Sequence, residues 1–283
     1  MGGGARVTPA HAPWREHADF AVGLRPIPEA AWLEGGEDDP AARKDPLIAA
    51  HPQATWGETP GSREGQREAL EMVEAALGAA ISEDGRPPLL AAARRVPDDL
   101  CLMQKDAGDW RLTALCLCAP TFFAAHHVLG RSLAQLHDPV DGFADRFLGR
   151  VRRVFDGLRP GLVLERRNWT VVNSAETFTP DAAPIRARIA AIEPADAGKA
   201  LCVRVERQTL RRGPRTGGAL FTIRVWLYPL EDLAKDCEQL KAFAHAWRTA
   251  APAFRAYKRF ELYDPLVEGF LRASGECYSV NGP

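Results

Sequence analysis

The sequence carries no strong charge of either sign and no long apolar run. Its 36 Lys and Arg residues are balanced by 37 Asp and Glu residues, so the formal net charge is −1 at pH 7. This balance creates no field that would draw the chain to nucleic acid or to a membrane surface. No stretch approaches the roughly 20 apolar residues that span a bilayer, and MGGGARVTPAHAPW lacks the apolar segment of a secretory signal. These absences predict a cytoplasmic protein that binds neither nucleic acid nor membrane.

Cysteine is scarce and scattered, which argues against a metal cluster built from thiolates. The six Cys residues lie far apart except for Cys116 and Cys118, and no second pair completes a zinc or iron–sulfur spacing. The sequence also lacks the motifs of dinucleotide, phosphate, serine-hydrolase and zinc-protease sites. These absences argue against a dinucleotide, phosphate-loop or iron–sulfur site on this chain.

The secondary structure that is present follows the order helix, strands, helices, strands, helices. A helix is predicted over Arg63–Ala80, with Ser62 as its N-cap. Alternation in LCVRVERQTL and LFTIRVWLYPL, joined by the turn-rich RRGPRTGGA, predicts a long antiparallel hairpin with one apolar and one polar face. The absence of regular βαβ alternation favours an α+β fold, an antiparallel sheet with flanking helices. We expect residues 1–18 to form a flexible leader and residues 19–283 a single domain.

Arginine is concentrated in this hairpin. The residues concerned are Arg204, Arg207, Arg211, Arg212, Arg215 and Arg224. The rigid fork of donors on each guanidinium suits carboxylates and phosphates. Two interpretations stay open from composition alone: a solvated edge that pairs with Glu206, or an anion clamp, for example for the propionates of a cofactor.

A lone histidine ends the apolar run in LAQLHDPVDGF. A neutral imidazole can bind iron or zinc through one nitrogen while a hydrogen bond orients the other, so His137 is a candidate metal ligand. Pro139 restricts Asp138 to extended conformations, which would fix the direction of the imidazole. Spacing alone nevertheless favours a structural histidine over a ligand.

An ordered series of motifs resembles the haem-dependent oxidative N-demethylase family, from about Phe20 to Lys258. The series is VGLRPIPEAAWLE, PDDLCLMQ, WRLTALCLCAPTFF, GRSLAQLHDPV, ERRNW and VERQTLRRGPRTGGALFTIRVWLYPL. The resemblance implies a PAS-like antiparallel sheet with flanking helices that holds haem b. It further implies that the haem activates O2 and oxidises a small secondary methylamine, such as dimethylamine, with release of formaldehyde. FMN, a 2Fe–2S cluster and NADPH on reductase partner proteins would supply the electrons.

The resemblance also assigns roles to residues. His137 would be the proximal ligand of the haem iron. The hairpin residues Arg207, Arg211, Thr222 and Arg224 would hold the cofactor, with Arg211 and Arg224 the preferred partners of its propionates.

The chain departs from the family pattern at several positions. Phe123 and His127 stand near the places where the pattern has Trp and Lys, Asp141 replaces a Pro, and Gly213 replaces a Leu. His127 is therefore a candidate second axial or distal residue, which would suit a PAS-like haem or small-ligand sensor that performs no turnover. A third interpretation is an α+β domain without haem, whose arginine face binds a protein or an anion.

Overall fold

The chain folds into one seven-stranded sheet with helices on both faces. The computed structural model describes residues 11–16, 23–37, 39–137 and 147–275. The strands are β1 (Arg25–Ile27), β2 (Trp56–Glu58), β3 (Asp99–Asp106), β4 (Asp109–Cys116), β5 (Val163–Val172), β6 (Cys202–Arg212) and β7 (Ala219–Pro229). The α-helices are α1 (Pro40–Ala50), α2 (Pro52–Thr55), α3 (Arg63–Leu77), α4 (Pro88–Ala93), α5 (Ala125–Val128), α6 (Leu133–Leu136), α7 (Gly149–Gly157), α8 (Ala183–Arg186), α9 (Ala197–Ala200), α10 (Leu230–Leu233), α11 (Cys237–Thr249), α12 (Pro252–Lys258) and α13 (Asp264–Ala273).

The strand order is β1-β5-β6-β7-β3-β4-β2, and every neighbouring pair is antiparallel. The predicted hairpin of β6 and β7 lies at the centre of the sheet. The hairpin of β3 and β4 turns through Ala107 and Gly108, which both have positive φ, as a tight two-residue turn requires. The α+β prediction is confirmed, whereas the PAS-like comparison stays a prediction. Among the described residues, no helix has the length and apolar character needed to cross a membrane.

Three apolar clusters form the core, and they divide between the two faces of the sheet. On one face, α10–α13 pack against β5 and β6 around Trp169, Val203 and Val205. The same face carries a second cluster, in which α3 and α4 pack against β3 and β4. On the other face, α6 and α7 cover Met103 and Leu210.

Both faces of the β6–β7 hairpin are therefore covered, which corrects the prediction of one apolar and one polar face. The register of β6 on β7 assigns each side chain to a face. The face that we call the cavity face presents Glu206, Gln208, Leu210, Phe221 and Ile223. The opposite face presents Arg207, Thr209, Arg211, Thr222 and Arg224.

Two local predictions differ from the structure. Trp14 lies within the predicted leader but is buried, with its indole edge-on to Trp169 and Phe243, so residues 11–16 pack against the core. The first and last parts of that leader, residues 1–10 and 17–18, lie outside the described residues. Ser62 does not cap α3 through its side chain, because its hydroxyl donates instead to the carbonyl of Thr59 at 2.7 Å.

A fully buried carboxyl lies beside the opposite face, at the start of β3. Asp98 is 0% exposed, and neither carboxyl oxygen has a well-formed hydrogen bond from a described residue. Burial raises the pKa of Asp98 to about 6, although the charges of Lys44 and Arg224 act in the other direction. The folded protein therefore holds a proton on Asp98 more tightly than the unfolded chain does.

Because the folded state binds the Asp98 proton more tightly than the unfolded state does, the contribution of Asp98 to stability falls as the pH rises. The folded state binds more protons than the unfolded state between about pH 4 and pH 6, so the free energy of unfolding decreases across that range. We expect Asp98→Asn to remove this dependence and to gain on the order of 2 kcal/mol relative to wild type between pH 4.5 and pH 7. Urea unfolding at several pH values measures the difference, with the exposed Glu193→Gln as control. A difference between Asp98→Asn and wild type that does not change with pH would contradict the assignment.

Candidate functional site

A large cavity lies on the cavity face of the sheet. Its volume is about 770 Å³, within the range of about 300–1,000 Å³ that is typical of ligand sites. Side chains of β4, β3, β7, β6 and β5 all line it. Five neighbouring strands are separated by four inter-strand spacings of about 4.8 Å each, so the cavity extends over roughly 19 Å of the sheet. It can accommodate an extended ligand.

The cavity has mostly apolar walls, and one region of it combines charges of both signs. Its walls are formed by Met103, Leu115, Leu133, Phe155 and Phe221, together with other apolar side chains of the third cluster. The charged region, which we call the polar end, consists of Arg166 on β5, Glu206 on β6 and Lys258 on α12. A ligand with a flat apolar body and charged groups matches this division.

His137 lines the cavity from the C-terminal end of α6. The helix is held by a capping box in which Ser132 and Gln135 bond reciprocally. The imidazole Nδ1 lies 2.7 Å from the carbonyl oxygen of Leu133, one turn back on the same helix. A carbonyl only accepts, so Nδ1 carries a proton, and a neutral imidazole with this tautomer binds a metal through Nε2. The orientation comes from α6, while the predicted contribution of Asp138 and Pro139 falls outside the described residues.

His127 also lines the cavity, on the short helix α5. Its ring lies against that of His126, with centroids 4.0 Å apart. His126 does not line the cavity, and its Nδ1 bonds to the carbonyl of Gln53 at 2.9 Å. The structure thus brings both predicted histidines, His137 and His127, to one cavity. Among the described residues, no group of three His, Cys, Asp or Glu side chains could hold a metal ion.

The four predicted hairpin residues lie on the opposite face, away from this cavity. Arg207, Arg211, Thr222 and Arg224 are absent from the cavity lining. Successive side chains of a strand point to opposite faces. Arg224 therefore faces away from its neighbour Ile223, which lines the cavity, and Arg207 shares the face of Arg224 because the two are paired in register. The expectation that these residues clamp a group bound at His137 is corrected by this placement.

The hairpin arginines bind carboxylates of the protein itself. Arg207 is 1% exposed and pairs with Glu165 at 2.5 Å, while its two terminal nitrogens donate to the carbonyls of Trp32 at 2.8 Å and Ala31 at 2.5 Å. Arg211 pairs with Glu29 and lies over the ring of Trp32, and Arg224 pairs with Glu37 at 3.3 Å. Thr222 shares a hydrogen bond with Thr209, whose hydroxyl also accepts from the Trp32 indole. Together they fasten residues 29–37 to the sheet.

Glu206 is the carboxylate of the polar end, and sequence reasoning considered it only as a partner for surface arginines. Thr121 donates to its Oε1 at 2.5 Å, and Gln208 donates to its Oε2 at 3.0 Å. Arg204 lies 3.5 Å from Oε1. Burial favours the neutral acid, but the charges of Arg204 and Lys258 and the hydrogen bond from Thr121 outweigh it, and the pKa of Glu206 is lowered. Glu206 therefore remains ionised.

Arg166 and Lys258 are the cations of the polar end, and neither was predicted as a site residue. Arg166 donates through Nε to Gln208 at 2.6 Å, and neither cation makes an ion pair with a residue of the described ranges. Burial lowers the pKa of Arg166, and it lowers the pKa of Lys258 to about 8. Nothing in the sequence linked the strand of Arg166 to Lys258.

A family model matches most of the residues that build this cavity. The model is described as haem-dependent oxidative N-demethylase, alpha subunit-like, and it matches residues 74–267. Except for Gly23 and Leu24, every described residue that lines the cavity falls within the matched range. The matched range therefore contains both histidines and the whole polar end.

The lowered pKa of Lys258 predicts an unusual labelling profile. Its neutral, reactive amine should be fully formed above about pH 9, whereas the pKa of the exposed Lys235 is raised by its hydrogen bond with Asp232. We expect acetylation of Lys258 to level off near pH 9 and that of Lys235 to keep rising past about pH 10. Competitive labelling with acetic anhydride, followed by peptide mass spectrometry on ligand-free protein, measures both rates. Parallel profiles for the two lysines would show that Lys258 is not desolvated.

Proposed function

The chain belongs to the haem-dependent oxidative N-demethylase, alpha subunit-like family, and on that premise we propose that it binds haem b in the cavity and demethylates a small secondary methylamine. The observation that carries the proposal is the meeting of three features in one cavity of about 770 Å³: His137, apolar walls, and cations that make no ion pair within the described part of the chain. These are the three features that a haem requires: an imidazole for the iron, apolar contact for the ring and positive charge for two carboxylates.

The residues present fit this cofactor. His137 would bind the iron through Nε2, since Nδ1 is engaged with the Leu133 carbonyl. The propionates would be held by Arg131 and Arg186, which line the cavity and make no ion pair with a described residue. Arg186 in particular has a buried Nε without a hydrogen-bond partner, and its guanidinium lies 5.0 Å over the ring of Phe122. These two arginines take the role that the hairpin arginines were expected to have.

The bound haem would supply O2 activation, and the protein would supply position, charge and exclusion of water. In the overall reaction one oxygen atom enters the methyl group, which leaves as formaldehyde with cleavage of the C–N bond. The other oxygen atom leaves as water, formed with two protons and a pair of electrons. Those electrons would come from NADPH through FMN and 2Fe–2S reductase proteins. The apolar walls keep bulk water from the reacting methyl group, and Glu206 stays ionised to face a protonated amine.

A sensor without turnover is the second candidate, and one observation favours it. His127 lines the same cavity as His137, so a second imidazole is available on the walls. An iron with two imidazole ligands would be six-coordinate and would have no open position for O2. The two candidates therefore differ in the role of a single side chain.

The role of His137 predicts a loss of haem on substitution. We expect His137→Ala to lower haem affinity by at least about tenfold, because the iron loses its protein ligand. Haem titration followed by the Soret band measures the affinity, and His126→Ala is the control because His126 bonds to Gln53 outside the cavity. Equal haem binding by His137→Ala and wild type would reject the assignment.

The role of His127 separates enzyme from sensor. If the protein is an oxygenase, the ferric spectrum should be the same in His127→Ala and wild type, and NADPH-dependent formaldehyde release should occur with an added reductase. If it is a sensor, wild type should be low-spin and His127→Ala high-spin, and no formaldehyde should form from any secondary methylamine. Absorption spectra and a formaldehyde assay distinguish these outcomes.

A further inference from the structure

The polar end has unmatched positive charge beside a carboxylate that is already satisfied. Glu206 accepts hydrogen bonds from Thr121 and Gln208 and pairs with Arg204. Arg166 and Lys258 lie close enough to Glu206 for their charges to influence one another, yet neither makes a direct ion pair with it. All three groups line the cavity, so a ligand bound there can contact them.

The described cavity lining as a whole also carries an excess of positive charge. Among the described lining residues the cations are Arg131, Arg166, Arg167, Arg186 and Lys258, and the only carboxylate is Glu206. Arg167 is paired with Glu165 at 3.0 Å. Two propionates would match Arg131 and Arg186, which leaves Arg166 and Lys258 with no direct ion pair to any residue that the structure describes, although Glu206 lies near both. A dialkylammonium ion would add positive charge to this region, and the interaction between like charges in a partly desolvated cavity is unfavourable.

We propose that the substrate of this chain is an N-methylated amino acid, whose carboxylate binds Arg166 and Lys258 and whose ammonium group faces Glu206. This inference rests on the proposed function, and it names the substrate class of that same site. A zwitterion carries a carboxylate for the two cations and an ammonium group for Glu206, and it adds no net charge to the polar end. The forked guanidinium of Arg166 and the compact ammonium of Lys258 are both suited to a carboxylate.

The reaction on such a substrate has the same balance as the one above. The N-methyl group of the amino acid leaves as formaldehyde, and the amino acid itself is the other organic product. One atom of O2 enters the formaldehyde and the other leaves as water, with two protons and a pair of electrons from the reduced partner. The carboxylate takes no part in the bond changes, so Arg166 and Lys258 are positioning residues.

The first experiment compares two probes that differ by the carboxylate. Isothermal titration of the protein with N-methylglycine and with dimethylamine measures both affinities without turnover. We expect N-methylglycine to bind at least about tenfold more tightly, as one or two charge-assisted hydrogen bonds allow. The titration is run on haem-loaded protein and on protein as purified. Equal or tighter binding of dimethylamine would overturn the proposal.

The second experiment locates the carboxylate contact. Lys258→Met and Arg166→Met remove one charge each at similar side-chain length, and Lys235→Met is the matched control on the exposed surface. We expect the first two variants to lose at least about tenfold in affinity for N-methylglycine and less than about twofold for dimethylamine. The control should retain both affinities.

Haem retention distinguishes the two sources of a carboxylate in this cavity. If Arg166 and Lys258 hold propionates instead, their Met variants should bind haem more weakly and leave the preference for N-methylglycine over dimethylamine unchanged, which would overturn the proposal. If the wild-type protein shows no Soret band after haem addition, the proposed function fails. The preference between the two probes on the protein as purified then still decides the substrate class.

Discussion

The buried pair of Arg207 and Glu165 constrains the arrangement of everything around it. Both side chains are almost fully buried, at 1% and 3% exposed, and Nε of Arg207 lies 2.5 Å from Oε2 of Glu165. Such a pair costs several kcal/mol to desolvate, so it persists only where further hydrogen bonds satisfy the guanidinium. The carbonyls of Ala31 and Trp32 do so. The pair thereby joins β5 to β6 and attaches residues 29–37 to the sheet.

The same pair decides which residues face the cavity. Since side chains alternate along a strand, placing Arg207 and Glu165 on the opposite face puts Arg166 and Glu206 on the cavity face. A shift of one residue would exchange the two sets and carry the buried ion pair into the cavity. The central strands thus separate two kinds of charge: one set is paired within the protein and stabilises the fold, and the other is left for a ligand.

The candidate site could be predicted in part. His137 follows from the apolar run of α6 and the motif around it, and its contact with Leu133 is local, one helical turn away. The composition of the hairpin favoured its arginines as an anion site, but composition does not show which carboxylates they pair with. Arg207 continues the odd positions of Val203 and Val205, so its face is the packed one. Its carboxylate partner Glu165 is 42 positions away, and the carbonyls of Ala31 and Trp32 are 176 and 175 positions away.

By itself the sequence determined the strands, their hairpins and the lone histidine, because alternation and turn residues act between near neighbours. It also determined the family through an ordered series of motifs. Only the tertiary structure decided which charges are used up inside the protein and which remain open to a ligand. That division depends on long-range pairing: Glu165 and Glu37 neutralise Arg207 and Arg224, while α12 brings Lys258 to the strands that carry Arg166 and Glu206.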